Sequence, residues 1–378
     1  MKWLFATALA VLTVLLPARA AEPEMTAAEV RALAGAVVPA GKDQAGWAAD
    51  ISAALTANGF RASRSNVCSV MAVIGQESTF TANPEVAGIG RIAEQQIQAK
   101  LAALPVLPGA AAMGVQIFLA TKPTPEKSYL AMIRAARTER DLDLVYRNLT
   151  FFLFREYAST RLLNAAAVAH RIDAENPIAT LGSMQVSAAY AIAEVEKAAN
   201  RSLGLGAIWK LRDELYTRKG GVAYGARMLL GYRADYPSRL FVFADYNAGR
   251  YASRNAAFQH MVAALSGADL ALDGDLMLYD SGKPKAEASA TETALRGLKL
   301  VDDDTLRADF LKEKAYGFRD TETYRRVAAA FTRKTGGQPP YAMLPQISLK
   351  SPKIRHHMTT ELFARAVMAR YERCLAAK

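Results

Sequence analysis

Glu77 is the first residue whose type and setting suggest chemistry. It closes the run Ser69-Val70-Met71-Ala72-Val73-Ile74-Gly75-Gln76-Glu77, followed by Ser78-Thr79-Phe80. On a helix, Val70, Val73 and Ile74 lie seven, four and three residues before Glu77 and share its face. The carboxyl thus extends an apolar stripe, where lost hydration favours the protonated form. A carboxyl that holds a proton near neutral pH can act as general acid toward a glycosidic oxygen. The plain alternative is a Glu at a helix end that reaches water.

Two further segments carry polar groups beside glycines. In Glu175-Asn176-Pro177-Ile178-Ala179-Thr180-Leu181-Gly182-Ser183-Met184-Gln185-Val186, Gly182 permits close backbone approach, and Gln185 offers both donor and acceptor groups. A turn of this kind ahead of a helix starting near Ser187 could line a sugar cleft. In Phe243-Ala244-Asp245-Tyr246-Asn247-Ala248-Gly249, Tyr246 can stack on a sugar face and Asn247 can bond a carboxyl or acetamido group. That segment also reads as a helix end capped by Gly249 with Tyr246 in the core.

Taken in order, Gln76-Glu77-Ser78-x-Phe80, Gly182-Ser183-Met184-Gln185, Gly225-Ala226-Arg227 and Tyr246-Asn247-Ala248-Gly249 resemble the lytic transglycosylase domain, a family related to goose-type lysozymes. The resemblance implies a lysozyme-like helical core, Glu77 as the single acid/base, and Ser78, Gln185, Tyr246 and Asn247 as its substrate-binding support. Thr321-Glu322-Thr323-Tyr324-Arg325-Arg326-Val327 looks like the family's late Tyr motif, which would bring Tyr324 into the cleft. The implied reaction needs one carboxyl. Glu77 protonates the leaving oxygen, the 6-hydroxyl of the muramyl sugar attacks its own anomeric carbon, and the product is a 1,6-anhydro sugar.

The pattern is interrupted. Glu77 and Gly182 are 105 positions apart, whereas the family keeps them within a few helical turns. Asn83-Pro84 on one side and Asn176-Pro177 on the other suggest an insertion of about 88–172 that splits one loop. A second, about 262–312, precedes Tyr324. The core then comprises about 45–86, 176–260 and 315–335 of a single domain at 21–378. Asp245, in place of a small apolar residue, is a candidate second carboxylate that could position water, or else a surface residue. Asp173 invites the same suspicion.

The elements that must hold these residues read as helices. Apolar positions recur at helical spacing over Glu29–Val38, Ala48–Leu55, Leu130–Arg137, Leu142–Leu163, Ala188–Ala199 and Thr360–Leu375, and strand-like alternation is scarce. The class is mainly α. Asp273 to Thr293 is polar and reads as a loop.

Composition narrows the function classes. The chain has 378 residues and a net charge of +11, with 51% hydrophobic and 22% charged residues, which excludes a disordered or collagen-like chain. Met1-Lys2-Trp3, the apolar run Leu4–Leu16 and Ala18-Arg19-Ala20 form a cleavable signal peptide over 1–20. The following Ala21 is not the Cys of a lipid anchor. The mature chain keeps 45 basic and 36 acidic residues and contains no apolar run long enough to span a membrane. A periplasmic, basic protein suits anionic wall polymer, and no stacking motif or recognition helix suggests nucleic acid.

Cys68 and Cys374 are the only thiols. In an oxidising compartment they form either one long-range disulfide or two buried free thiols. His170, His260, His356 and His357 form no metal-ligand spacing, and no cofactor is expected. The expected function is a peptidoglycan lytic transglycosylase, with an envelope partner on the insertions. The alternatives are a non-catalytic peptidoglycan- or partner-binding envelope protein and a hydrolytic muramidase.

Overall fold

The computed structural model describes residues 22–103, 109–280, 282–349 and 357–378. The segment 1–20, read from the sequence as a signal peptide, and His356 lie outside the described residues. The protein is mainly helical, with two short antiparallel hairpins.

The first three helices are α1 (Ala27–Val37), α2 (Gln44–Ala57) and α3 (Arg64–Glu77). Thr26, Asp43 and Ser63 cap their N-termini by accepting a bond from a first-turn backbone N–H, the role that favours these residue types there. The segment read as an insertion supplies α4 (Ile89–Ala102), α5 (Gly109–Thr121), α6 (Tyr129–Ala135), α7 (Glu139–Tyr157) and α8 (Ala166–Ala174). The helical periodicity through Leu163 is broken after Tyr157, where Ala158 turns out of the helix and a 3-10 turn follows at Thr160–Asn164.

Hairpin β1 (Thr180–Leu181) and β2 (Val186–Ser187) follows, in the register Thr180↔Ser187 and Leu181↔Val186. Ser187 then caps α9 (Ala188–Ala199). Next come α10 (Leu205–Leu215), α11 (Arg218–Leu230) and α12 (Arg239–Ala248). The last part contains α13 (Ala252–Ser266), hairpin β3 (Tyr279–Asp280) and β4 (Lys283–Pro284), α14 (Ala290–Leu298), α15 (Asp303–Phe310), α16 (Glu322–Thr335) and α17 (Thr360–Ala376). The polar stretch 273–293 is thus a small hairpin that leads into α14.

The main core gathers α1 to α12 and α17. Helix α3 is its axis, since Val67 through Ile74 are all buried. α17 packs on both α3 and α12. A disulfide joins Cys68 of α3 to Cys374 of α17 across 306 residues, with Cα atoms 5.5 Å apart. The inserted helices add Ile133, Leu142, Val145 and Ala169 to this same core, so they are layered onto it and form no separate core of their own.

A second, smaller core runs from Phe258 and Met261 of α13 to Phe331 of α16. It merges the 262–312 segment with 315–335, which the sequence pattern assigns to the main core. The reason is an aromatic cluster: Tyr324 stacks on Phe258 at 5.4 Å and meets Phe318 edge-on at 5.5 Å. Among the described residues no helix is long and apolar enough to cross a membrane.

Candidate functional site

Motif residues line an open cleft of about 740 Å³. Glu77, at the last turn of α3, lies on one wall beside Gln76. Gln185 comes from the β1–β2 turn, and Tyr246 and Asn247 come from the end of α12. Pro84, Glu85 and Val86 lie on one side of the insertion and Thr180 on the other, so both halves of the split loop meet at this cleft. Glu77 is half-buried, while the Val70, Val73 and Ile74 side chains on its face are fully buried.

The turn Gly182-Ser183-Met184-Gln185 is seated by glycines. Gly182 has φ +73°, and a Cβ there would sit 2.1 Å from the Leu215 carbonyl oxygen, so both conformation and space require glycine. Met184 is fully buried against Gly225 of α11, where a Cβ would meet its sulfur at 2.3 Å. The Tyr246 hydroxyl donates to the Met184 carbonyl at 2.7 Å. The three motifs therefore interlock physically. Gln185 is held at φ +49°, a left-handed conformation that costs a non-glycine residue about 1 kcal/mol. Thr180 Oγ1 donates to its Oε1 at 2.7 Å, which fixes the amide orientation.

Tyr246 lines the cleft wall, but its ring is buried and its hydroxyl is committed to the turn. Burial, reinforced by the nearby Glu77 carboxylate, holds its phenol well above the ordinary tyrosine range. Asn247 is half-exposed, and its Oδ1 accepts from Thr360 Oγ1 at 2.8 Å. The first turn of α17 thereby closes one end of the cleft, where Phe363, Met358 and Leu349 add apolar surface. Leu349 N–H donates to the Met358 carbonyl at 2.8 Å.

A second buried carboxylate on this cleft was not singled out from the sequence. Glu139 is the first residue of α7, directly after its cap Thr138. It is 5% exposed, and Gln185 Nε2 donates to its Oε2 at 2.9 Å. The insertion delivers it there because Val86 N–H bonds the Arg137 carbonyl at 2.9 Å and Glu85 bridges Thr138. The visible signal was the capping box Thr138-x-x-Asp141, which fixes where α7 starts but not what its start faces.

Four expected site residues lie elsewhere. Ser78 is buried and donates to the Ile74 carbonyl at 3.1 Å; it finishes α3 and is not on the cleft wall. Asp245 is 1% exposed and neither faces solvent nor lines the cleft. It accepts from Tyr232 and Tyr236 hydroxyls at 3.0 and 2.7 Å and from Tyr251 and Ser253 N–H at 2.9 and 2.7 Å. Burial pushes its carboxyl up from the ordinary value, and these donors pull it back.

Asp173 pairs with Arg212 at 2.8 Å in a buried network with Asp143, and burial likewise raises it. Tyr324 belongs to the second core, where no hydrogen bond of normal geometry reaches its hydroxyl. The chain wraps these side chains into helix-packing roles that residue type and spacing do not reveal.

Among the described residues, no group of three or more His, Cys, Asp or Glu is arranged to hold a metal ion. His170 pairs with Glu196 at 2.7 Å, and His260 packs on the Phe331 ring.

This arrangement can hold a polar strand between two carboxyl-bearing walls. The chain belongs to the family described as "Protein of unknown function (DUF1615)", which matches residues 40–377. It is 36% identical over 339 residues to "Uncharacterized protein YaiW" of Escherichia coli (strain K12), a match covering 88% of this chain and 86% of that protein. No solved structure matches the chain.

Proposed function

We propose that the protein is an exported, periplasmic peptidoglycan lytic transglycosylase with a lysozyme-like helical core and Glu77 as its acid/base. The observation that carries this reading is the convergence of Glu77, Gln185, Tyr246 and Asn247 on one cleft across a 105-residue split. Glu77 ends α3 and stands on the wall of the cleft. In the forward step the Glu77 carboxyl gives its proton to the oxygen that leaves the muramyl anomeric carbon. The 6-hydroxyl oxygen of the same sugar bonds to that carbon, and its proton passes to the Glu77 carboxylate. The carboxyl is thereby regenerated and the glycan ends in an anhydro sugar.

Glu139 favours a second reading, hydrolysis. Its carboxylate would take a proton from water while the water oxygen bonds to the anomeric carbon and Glu77 protonates the leaving oxygen. An envelope partner on the inserted helices has its support in their exposed apolar side chains Met113, Ile117 and Phe151.

Mass spectrometry of purified sacculi digested by residues 21–378 and by Glu77→Gln tests the proposal. The expected outcome is anhydro-muropeptides that fall by roughly 100- to 10,000-fold in the variant, the usual contribution of a general acid–base. Reducing-end products that depend on Glu139 would shift the assignment to hydrolysis. Products indifferent to Glu77→Gln would overturn Glu77 as the acid, and no products at all would overturn enzymatic cleavage and leave a glycan-binding envelope protein.

A further inference from the structure

A second hollow, of about 300 Å³, is built on the last turn of the helix that carries Glu77, next to the cleft and separate from it. Its lining is largely apolar: Met71 and Ala72 of α3, Phe80, Val37 at the end of α1, and the exposed Ala36 beside it. Gly75 completes the floor, and the aliphatic stem of Arg370 passes over it, with Cδ 3.5 Å from where a glycine Cβ would stand. Arg370 and Arg373, one turn apart on α17, form the rim.

These two arginines present an unmatched charge. Neither makes an ion pair with an acidic group among the described residues; Arg370 reaches only the Ala366 carbonyl, at 3.2 Å. No acidic side chain lines the hollow. Partial burial and the neighbouring Arg373 charge both hold the Arg370 guanidinium below its ordinary value. The partly buried Arg370, beside the like charge of the exposed Arg373, lacks the partner that normally offsets the cost of burial. Guanidinium groups suit carboxylate and phosphate oxygens in particular, because their planar fork can donate two parallel bonds.

We infer that this hollow binds a single-chain amphiphile with an anionic head, the carboxylate or phosphate on Arg370 and Arg373 and the chain along Met71, Ala72 and Val37. The volume lies at the lower end of ligand-sized cavities, which suits one short chain and excludes a two-chain lipid. The proposal is independent of whether Glu77 cleaves glycan.

The test is calorimetric titration of the mature chain with four probes: dodecanoate, dodecyl phosphate, dodecanol and inorganic phosphate. Dodecanoate and dodecyl phosphate are expected to bind, with dodecanol and inorganic phosphate each at least tenfold weaker. Preference between the two anionic probes separates a fatty acid from a single-chain phosphate ester. The double variant Arg370→Gln/Arg373→Gln should lose at least tenfold affinity for both anionic probes.

Ala36→Phe fills the mouth from an exposed position on α1, so it should block binding without disturbing the core. Binding of dodecanol as tight as dodecanoate, full affinity in the double variant, or unchanged binding in Ala36→Phe would overturn the site. So would the absence of heat with both anionic probes, or inorganic phosphate binding as tightly as dodecyl phosphate.

Discussion

The end of α12 holds two polar side chains, two residues apart, with opposite fates. Asp245 turns inward and is saturated by two phenols and two backbone N–H groups. Asn247 turns outward and lines the cleft with Glu77 and Glu139. The Asp245 knot ties the 232–236 loop to the start of α13, and so joins the two cores. The cleft carboxylates lie where a substrate could reach them. The difference is one of place: Asp245 is ringed by donors away from the cleft, whereas Glu77 and Glu139 lie on its wall.

The sharpest way to break this contrast is Asp245→Ala. It strands two hydroxyls and two N–H groups in the interior, and denaturant unfolding should show a loss of about 4 kcal/mol, given roughly 1–3 kcal/mol per abandoned buried group. If Asp245→Ala cost no more than Glu77→Gln, the distinction between the two regions would disappear.

Next in size is a pH effect in the second core. Glu313 is 0% exposed and accepts from the Leu276 N–H and the Tyr279 hydroxyl, yet burial pushes its carboxyl up to about 7 from 4.5. A raised acid binds its proton more tightly in the folded state. Its contribution is therefore fully present below pH 4.5 and is lost as pH rises to about 7, on the order of 3 kcal/mol in all. Unfolding measured across that window should show the decline, and Glu313→Gln should flatten it. A decline that persists in the variant would place the titration elsewhere.

The smallest expected stability effect is at the cleft itself. Glu77→Gln and Glu139→Gln should each change stability by about 1 kcal/mol, because glutamine is nearly isosteric with glutamate and keeps one acceptor oxygen for the bonds each residue makes. Thermal unfolding of both variants checks this. Several kcal/mol lost at Glu139 would move it into the structural class with Asp245.

The elements were legible because periodicity records which face of a helix is apolar. α1, α9 and α17 match the spacing seen in the sequence within one or two residues. Gly182 was legible too, since only glycine tolerates that turn and the approach of Leu215. By contrast, α7 stops early at Tyr157, where the backbone leaves the helix although the apolar pattern continues.

By itself the sequence determined a mainly helical chain and the local form of its turns, because both depend on neighbours a few residues away. Tertiary structure alone decided that Asp245 is walled in, that Tyr324 joins a second core, and that Glu139 reaches the cleft of Glu77. Each of those outcomes depends on which distant segment covers a given face. Local pattern marks a face as apolar or polar but carries no information about the segment that will lie against it.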